Sequence, residues 1–292
     1  MKRYADIPGD GGSGVVAQVV EQRQAMAEAL AGVRQVVAVA SGKGGVGKST
    51  VTAALAHALI ASGKRVAVLD ADLNGPCQAA MGGLEGRPWV PGERGLAMPR
   101  RADGLGIVSL GSLLSEGQSL RFAGTVSHGA EQVWRGTREA AFLGQVLAAV
   151  RWGTLDVLLV DLPPGPERTA QLAALLGARA SFVLVTIPSA VARRVVERSI
   201  DALARAGGRV LGYVENMAGY ACGGCGEVRP LFPPGAALPL RCLGHIPFDP
   251  ALAALCDGGW PADAGEPARS SPAILAAGAT ASALLDLLEG PA

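Results

Sequence analysis

VVAVASGKGGVGKST, Val36 to Thr50, runs a continuously apolar segment into a glycine-rich turn and then into an alanine- and leucine-rich segment (52–61) of helical character. Gly42, Lys43, Gly44, Gly45, Val46, Gly47, Lys48 and Ser49 satisfy G-x-x-x-x-G-K-[ST], and Thr50 follows them. The motif sits between a buried strand and a helix start, where its chemistry needs it. Glycines let backbone N–H groups curl around phosphate oxygens, and the helix N-terminus adds its positive dipole. Lys48 can then reach β- and γ-phosphates, and the Ser49 hydroxyl can ligate magnesium.

Outward from this loop, the same alternation of apolar runs and helical stretches recurs. Runs with strand character lie at 66–69, 105–110, 157–160, 182–187 and 210–214, with a weaker one at 243–246. Helical stretches are expected at 15–33, 138–151, 168–177, 189–206 and 266–290. Strands that are apolar throughout, separated by helices, predict an α/β fold: a doubly wound, mostly parallel sheet with helices on both faces. Residues 71–104 and 111–137 are long, glycine-rich and expected to be irregular functional loops. The domain expectation is an N-terminal lead and helix over 1–34, followed by one nucleotide-binding domain over 35–292.

The composition narrows the partners. A formal net charge of +1 gives no drive toward nucleic acid or an anionic membrane. No apolar stretch is expected to approach the roughly 18 residues of a membrane span. The opening MKRYADIPGDGGSG lacks the apolar core of a secretory signal, so the cytoplasm is the default location. With five cysteines and no export signal, a disulfide framework is not expected.

Carboxylates end two of the apolar runs, where side chains face the crevice at the carboxyl edge of a parallel sheet. Asp70 and Asp72 close VAVLDAD, and Asp161 closes VLLVD. Asp161 has the position of the acid that holds magnesium, directly or through water. Asp161-Leu-Pro-Pro-Gly165 forms a rigid turn that can present a backbone N–H to the γ-phosphate. Cys222-Gly-Gly-Cys225 is the only close cysteine pair. Iron–sulfur clusters and tetrahedral zinc each take four such ligands. The pair therefore leaves open a cluster shared by two chains, zinc completed by Cys242 and Cys256, a redox dithiol, or cysteines without a ligand.

The second lysine of the loop, Lys43, resembles that of the deviant Walker-A proteins MinD, ParA and the nitrogenase iron protein. Taken together, SGKGGVGKST, LDADLNGP, VWRGT (133–137), WGTLDVLLVDLPPG (152–165), VENMAGYACGGCGE (214–227), LGHIPFDP (243–250) and DGGWP (257–261) resemble the Mrp/ApbC family of iron–sulfur cluster carrier ATPases. The resemblance implies a homodimer with ATP between the subunits and Lys43 reaching the partner's nucleotide. It implies that Asp72 orients the attacking water and that Asn216 contacts adenine. It also implies a labile 4Fe–4S cluster bridged by Cys222 and Cys225 of each chain, received from a donor and handed to apo-proteins during slow ATP hydrolysis. The alternative is a ParA- or MinD-like positioning switch with a structural metal or an unliganded pair. The sequence departs from the family at Pro166, where a threonine is usual, and at Cys77, where a serine is usual.

Overall fold

The computed structural model describes residues 15–93, 95–112, 131–233, 238–262 and 271–290, with only the backbone path described for 15–16 and 131–138. In chain order the elements are α1 (Val15–Ala29), β1 (Val33–Ser41), α2 (Lys48–Ala61), β2 (Val66–Asp70), α3 (Gln78–Met81), β3 (Val90–Gly92), β4 (Gly95–Ala97) and β5 (Gly106–Val108). They continue as α4 (Glu131–Ala149), β6 (Val150–Arg151), β7 (Leu155–Asp161), α5 (Pro166–Leu176), β8 (Ala180–Thr186) and α6 (Ala190–Arg205). The last are β9 (Arg209–Ala221), β10 (Val228–Arg229), β11 (Cys242–Phe248), α7 (Pro250–Asp257) and α8 (Pro272–Glu289).

The main sheet has the order β10-β9-β8-β1-β7-β2-β5, with β11 added alongside β9. All its ladders are parallel except β9–β10. The cause is visible in β1, whose alternate side chains are both apolar. Val36, Ala38 and Ala40 join one core, while Val37 and Val39 join the other. A strand buried on both faces needs a helix layer on each side. The first core takes Met26 of α1, Leu143 and Leu147 of α4, Leu172 of α5, and Val196 and Leu203 of α6. The second takes Leu55 and Leu59 of α2, Leu252 of α7, and Ala277, Leu284 and Leu288 of α8. At roughly 1.5–3 kcal/mol for each large side chain fully buried, these two layers hold the sheet.

Three sequence expectations are corrected. The boundary at 34/35 cuts through β1, and α1 belongs to the same core, with Met26 and Leu30 buried and Gln22 donating to the Ala141 carbonyl at 3.1 Å. The supposedly irregular 71–104 and 131–137 contain α3, the β3–β4 hairpin and the first turns of α4; residues 113–130 lie outside those described. β4 also pairs with β6 in a separate three-stranded sheet. Finally, α8 is 18 residues long with a mean hydropathy of 1.3, enough by length and composition to cross a membrane. Its Ala273, Ala277, Ala281, Leu284 and Leu288 instead pack into the second core, which explains the apolar composition.

Candidate functional site

Because β1, β7 and β2 are adjacent and parallel, their carboxyl ends deliver the loop, Asp161 and Asp70 to one edge. Val39 pairs with Asp161, and Asp161 with Asp70. The loop then turns into α2, capped by Gly47 at φ 76°, a left-handed conformation that favours glycine. A Cβ on Gly47 would lie 2.2 Å from Asn216 Nδ2, and one on Gly42 would lie 2.8 Å from the Val195 carbonyl carbon. Glycine at these two positions lets α6 and β9 close on the loop.

A cavity of about 280 Å³ opens over the loop, lined among others by Lys43, Gly44, Gly45, Ser49, Asp72 and Pro164. A second cavity of about 140 Å³, bounded by Asn216, Met217, Phe248 and Leu252, shares Gly47, Thr50 and Met81 with the first. The first lies over the glycine-rich turn and the second against Asn216 and Met217. Asn216 is buried and donates to the Val46 carbonyl at 2.9 Å, so its amide fastens the loop itself and sets one wall of the second cavity.

The floor is a charged cluster. Lys48 Nζ donates to Asp161 Oδ1 at 2.5 Å, and both are buried. Thr52 Oγ1 reaches the same oxygen at 3.1 Å, and Gln78 Nε2 donates to Asp161 Oδ2 at 2.9 Å and to the Ser49 carbonyl at 3.0 Å. The loop lysine is thus held by an internal anion. Asp70 does not line the cavity. Its carboxylate accepts from the backbone N–H groups of Asp72, Cys77 and Gln78 and from Ser109 Oγ, so it organises the turn into α3. Burial and then the neighbouring Asp161 charge push the Asp70 carboxyl above the usual carboxylate range. Asp70 thus supports the turn into α3 from beside the cavity.

Gly165 also has an internal partner. Its N–H donates to the Ser41 carbonyl at 3.0 Å, while Pro164 faces the cavity. Pro166 occupies the first position of α5, where a backbone N–H would have no helical acceptor in any case. Cys77 lines the phosphate cavity beside Ser49, and burial, then the Asp70 charge, pushes its thiol up to about 12. Gln78, Thr52 and Ser109 were not legible as site residues. Neither spacing nor motif distinguishes them, and only the folding of α3 against the loop brings Gln78 to Asp161.

Beyond Asn216, β9 continues to Ala221 and turns through Cys222–Cys225 into β10, pairing Ala221 with Val228 and Tyr220 with Arg229. Gly226 N–H donates to the Cys222 carbonyl at 2.8 Å, closing the turn. Cys225 is exposed and Cys222 partly so. The N–H groups of Cys225 and then Gly224 point at the Cys222 sulfur and draw its thiol below the ordinary range. That is a thiolate-stabilising hairpin suited to a soft metal or cluster. The other three cysteines lie elsewhere. Cys256 is buried in the second core, Cys77 is at the phosphate cavity, and Cys242 contacts His245 at 3.5 Å. Among the described residues no three His, Cys, Asp or Glu side chains are placed to hold a metal together.

Similarity to known proteins follows the same lines. The family described as NUBPL iron-transfer P-loop NTPase, of the ParA group, matches residues 32–281. The human cytosolic Fe-S cluster assembly factor NUBP2 is 38% identical over 272 residues, covering 88% of this chain and 94% of that protein. The iron-sulfur cluster carrier protein of Saccharolobus solfataricus is 34% identical over 232 residues, covering 77% of this chain and 75% of its own length. Among solved structures, a nucleotide-binding protein from Archaeoglobus fulgidus in complex with ADP superimposes with a TM-score of 0.69 at 31% identity, over 85% of this chain and 96% of that one. A phosphate-binding loop closed by β9, and a family match that spans both the loop and the cysteine hairpin, lead to one conclusion: the chain belongs to the NUBPL-type iron-transfer P-loop NTPases.

Proposed function

We propose that the chain is an ATP-dependent carrier that holds a 4Fe–4S cluster between two copies of itself and passes it to apo-proteins. The observation that carries this is the Cys222–Cys225 hairpin, which is exposed, acidified at Cys222 by backbone N–H groups, and built on the strand that also fastens the phosphate loop through Asn216. A 4Fe–4S cluster takes four thiolates. Cys77, Cys242 and Cys256 are committed elsewhere, so a second chain is the source of the missing two. Exposed apolar side chains beside the hairpin, Tyr220, Val228, Leu231, Phe232 and Phe248, suit such a contact. The relatives named as assembly factors and carriers support the same cargo.

In this proposal ATP lies with its phosphates over the loop and its base against Asn216 and Met217. Lys48 leaves Asp161 for the β- and γ-phosphates. Ser49 Oγ and the freed Asp161 carboxylate would hold magnesium, which neutralises phosphate charge. Asp72, on the cavity wall, orients the attacking water, and Lys43 reaches the partner's nucleotide across the dimer. Gly165 exchanges its Ser41 carbonyl for the γ-phosphate, so that hydrolysis acts as a switch. The related assembly factors are named cytosolic, and this chain is assigned the same compartment.

Anaerobic reconstitution with iron and sulfide tests the proposal. It should give about four irons per two chains and shift the protein to dimer. Cys222→Ser or Cys225→Ser should lose both effects, and Cys242→Ser and Cys256→Ser should keep them. One tightly held zinc per monomer, lost in Cys242→Ser or Cys256→Ser, would overturn the carrier assignment. Nucleotide-dependent dimerisation without any iron uptake would favour a positioning switch instead.

A further inference from the structure

At the edge of the main sheet, away from the phosphate loop, β11 carries a nucleophile and a base on one face. Strand alternation would put Cys242 and His245 on opposite faces, since they are three residues apart. A register irregularity between Cys242 and Gly244 cancels this. Its effect is visible in the core, where Leu243 and Ile246, also three apart, both enter the second core. Cys242 and His245 are left together on the other face, beside Tyr213 and Glu215 of β9.

The contacts there form a relay. Cys242 Sγ lies 3.5 Å from His245 Nε2 and 3.6 Å from the Gly244 carbonyl oxygen. His245 Nδ1 lies 3.1 Å from Glu215 Oε2. The carboxylate accepts the Nδ1 proton, which leaves Nε2 as the acceptor facing the thiol. The Tyr213 hydroxyl reaches the same sulfur. A nucleophile within reach of a base, itself oriented by a third group, is the arrangement that activates a thiol. Burial holds the Cys242 thiol above its ordinary range, so at neutral pH it waits as S–H until the base acts. Among the described residues, the titratable groups facing it are Tyr213 and Glu215 from β9 and His245 from β11 itself.

We infer that Cys242, with His245 as its base and Glu215 as the positioning residue, is a thiol–disulfide exchange site for low-molecular-weight disulfides. Cys242 is partly exposed and the His245 side chain is 61% exposed, so a small disulfide can reach the pair from solvent. Exchange asks only for a thiolate, that access and a proton for the leaving sulfur. Cys242 S–H gives its proton to His245 Nε2, and the sulfur attacks one disulfide sulfur. The old S–S bond breaks as the new one forms, and the leaving thiolate takes the proton from the imidazolium. Cys242 is oxidised to a mixed disulfide and the departing half is reduced to a thiol.

The test uses the full chain, prepared anaerobically and treated with oxidised glutathione, with adducts located by peptide mass spectrometry. The Cys242 peptide should acquire one glutathione, at a rate at least about tenfold higher than in His245→Ala or His245→Gln. Glu215→Gln should fall between them. In the parent the reaction should proceed at neutral pH, because the base takes the proton as the sulfur attacks. In His245→Ala the rate should rise only at alkaline pH, as the thiol itself ionises. His245 is exposed, so unchanged thermal unfolding of its variants confirms that the fold is intact. Equal Cys242 rates and pH profiles in parent and His245→Ala, or adducts confined to Cys222 and Cys225, would overturn the assignment. Iron uptake by Cys242→Ser should be normal, which keeps this outcome separate from that of the cluster experiment.

Discussion

Lys43 and Lys48 share one loop, yet they have different surroundings. Lys48 is buried against Asp161, whereas Lys43 is half-exposed on the cavity wall. Lys48→Ala should therefore nearly abolish ATP binding by equilibrium titration, and it should also lower the stability of the free protein by roughly 3 kcal/mol by leaving Asp161 buried without its partner. Lys43→Ala should leave binding and stability largely intact and suppress turnover. Equal loss of binding in the two variants would remove any inter-subunit role for Lys43. The two aspartates divide in the same way. Asp72→Asn should keep Mg-ATP and slow hydrolysis by about a hundredfold or more, while Asp161→Asn should weaken the magnesium dependence of binding. An Asp72→Asn variant with parental turnover would sink the water-orienting assignment. Asp70 and Asp161 were legible in the sequence because each ends a strand, and Asp72 because it lies two residues beyond one. That Asp70 supports α3 rather than facing the cavity was not legible, since it depends on where Cys77 and Gln78 direct their N–H groups.

At the scale of elements, the strands that build the site could be read because they are apolar on both faces, and β1, β2 and β7 lie within a residue or three of where the runs place them. The two-residue β10 and the eight-residue α7 carry too few residues for a period to register, and the hairpin bearing the cysteines was foreseen only as a loop. Helix α2 shows a further consequence of packing. Its His57 stacks on Trp260 with ring centroids 3.9 Å apart, and Arg101 Nη1 lies 3.2 Å from His57 Nε2. A guanidinium can only donate, so His57 must be neutral there, and burial, then the Arg101 charge, lowers its pKa to about 3. The folded state thus binds fewer protons than the unfolded chain. The stabilising contribution is complete above about pH 6.5 and is lost as pH falls toward 3, with a limiting slope of about 1.4 kcal/mol per pH unit. Urea unfolding at pH 7 and pH 5 should show a smaller acid loss in His57→Phe than in the parent; matching losses would contradict this account.

For the whole molecule, the exposed apolar side chains around the hairpin predict that dimerisation and cluster binding stand or fall together. Leu231 is 48% exposed, so Leu231→Asp should change monomer stability by less than about 0.5 kcal/mol. It should nevertheless lower the dimer fraction on gel filtration after reconstitution and reduce iron per chain, with nucleotide affinity unchanged. A cluster-loaded dimer undisturbed by this charge would place the contact elsewhere. Strand β9 adds a constraint of its own. Asn216, which fastens the phosphate loop, and Cys222, which directly follows the last residue of β9, are six residues apart, joined through an irregularity at Met217, whose φ is 53°. A lever has no preferred end. If nucleotide moves the hairpin enough to change its grip on cargo, then cargo must change the affinity for nucleotide by the same factor, because the two bindings close one thermodynamic cycle. Loaded and empty copies in one cell would then hold ATP with different tenacity, and the nucleotide each copy carries would report whether its cysteines are filled.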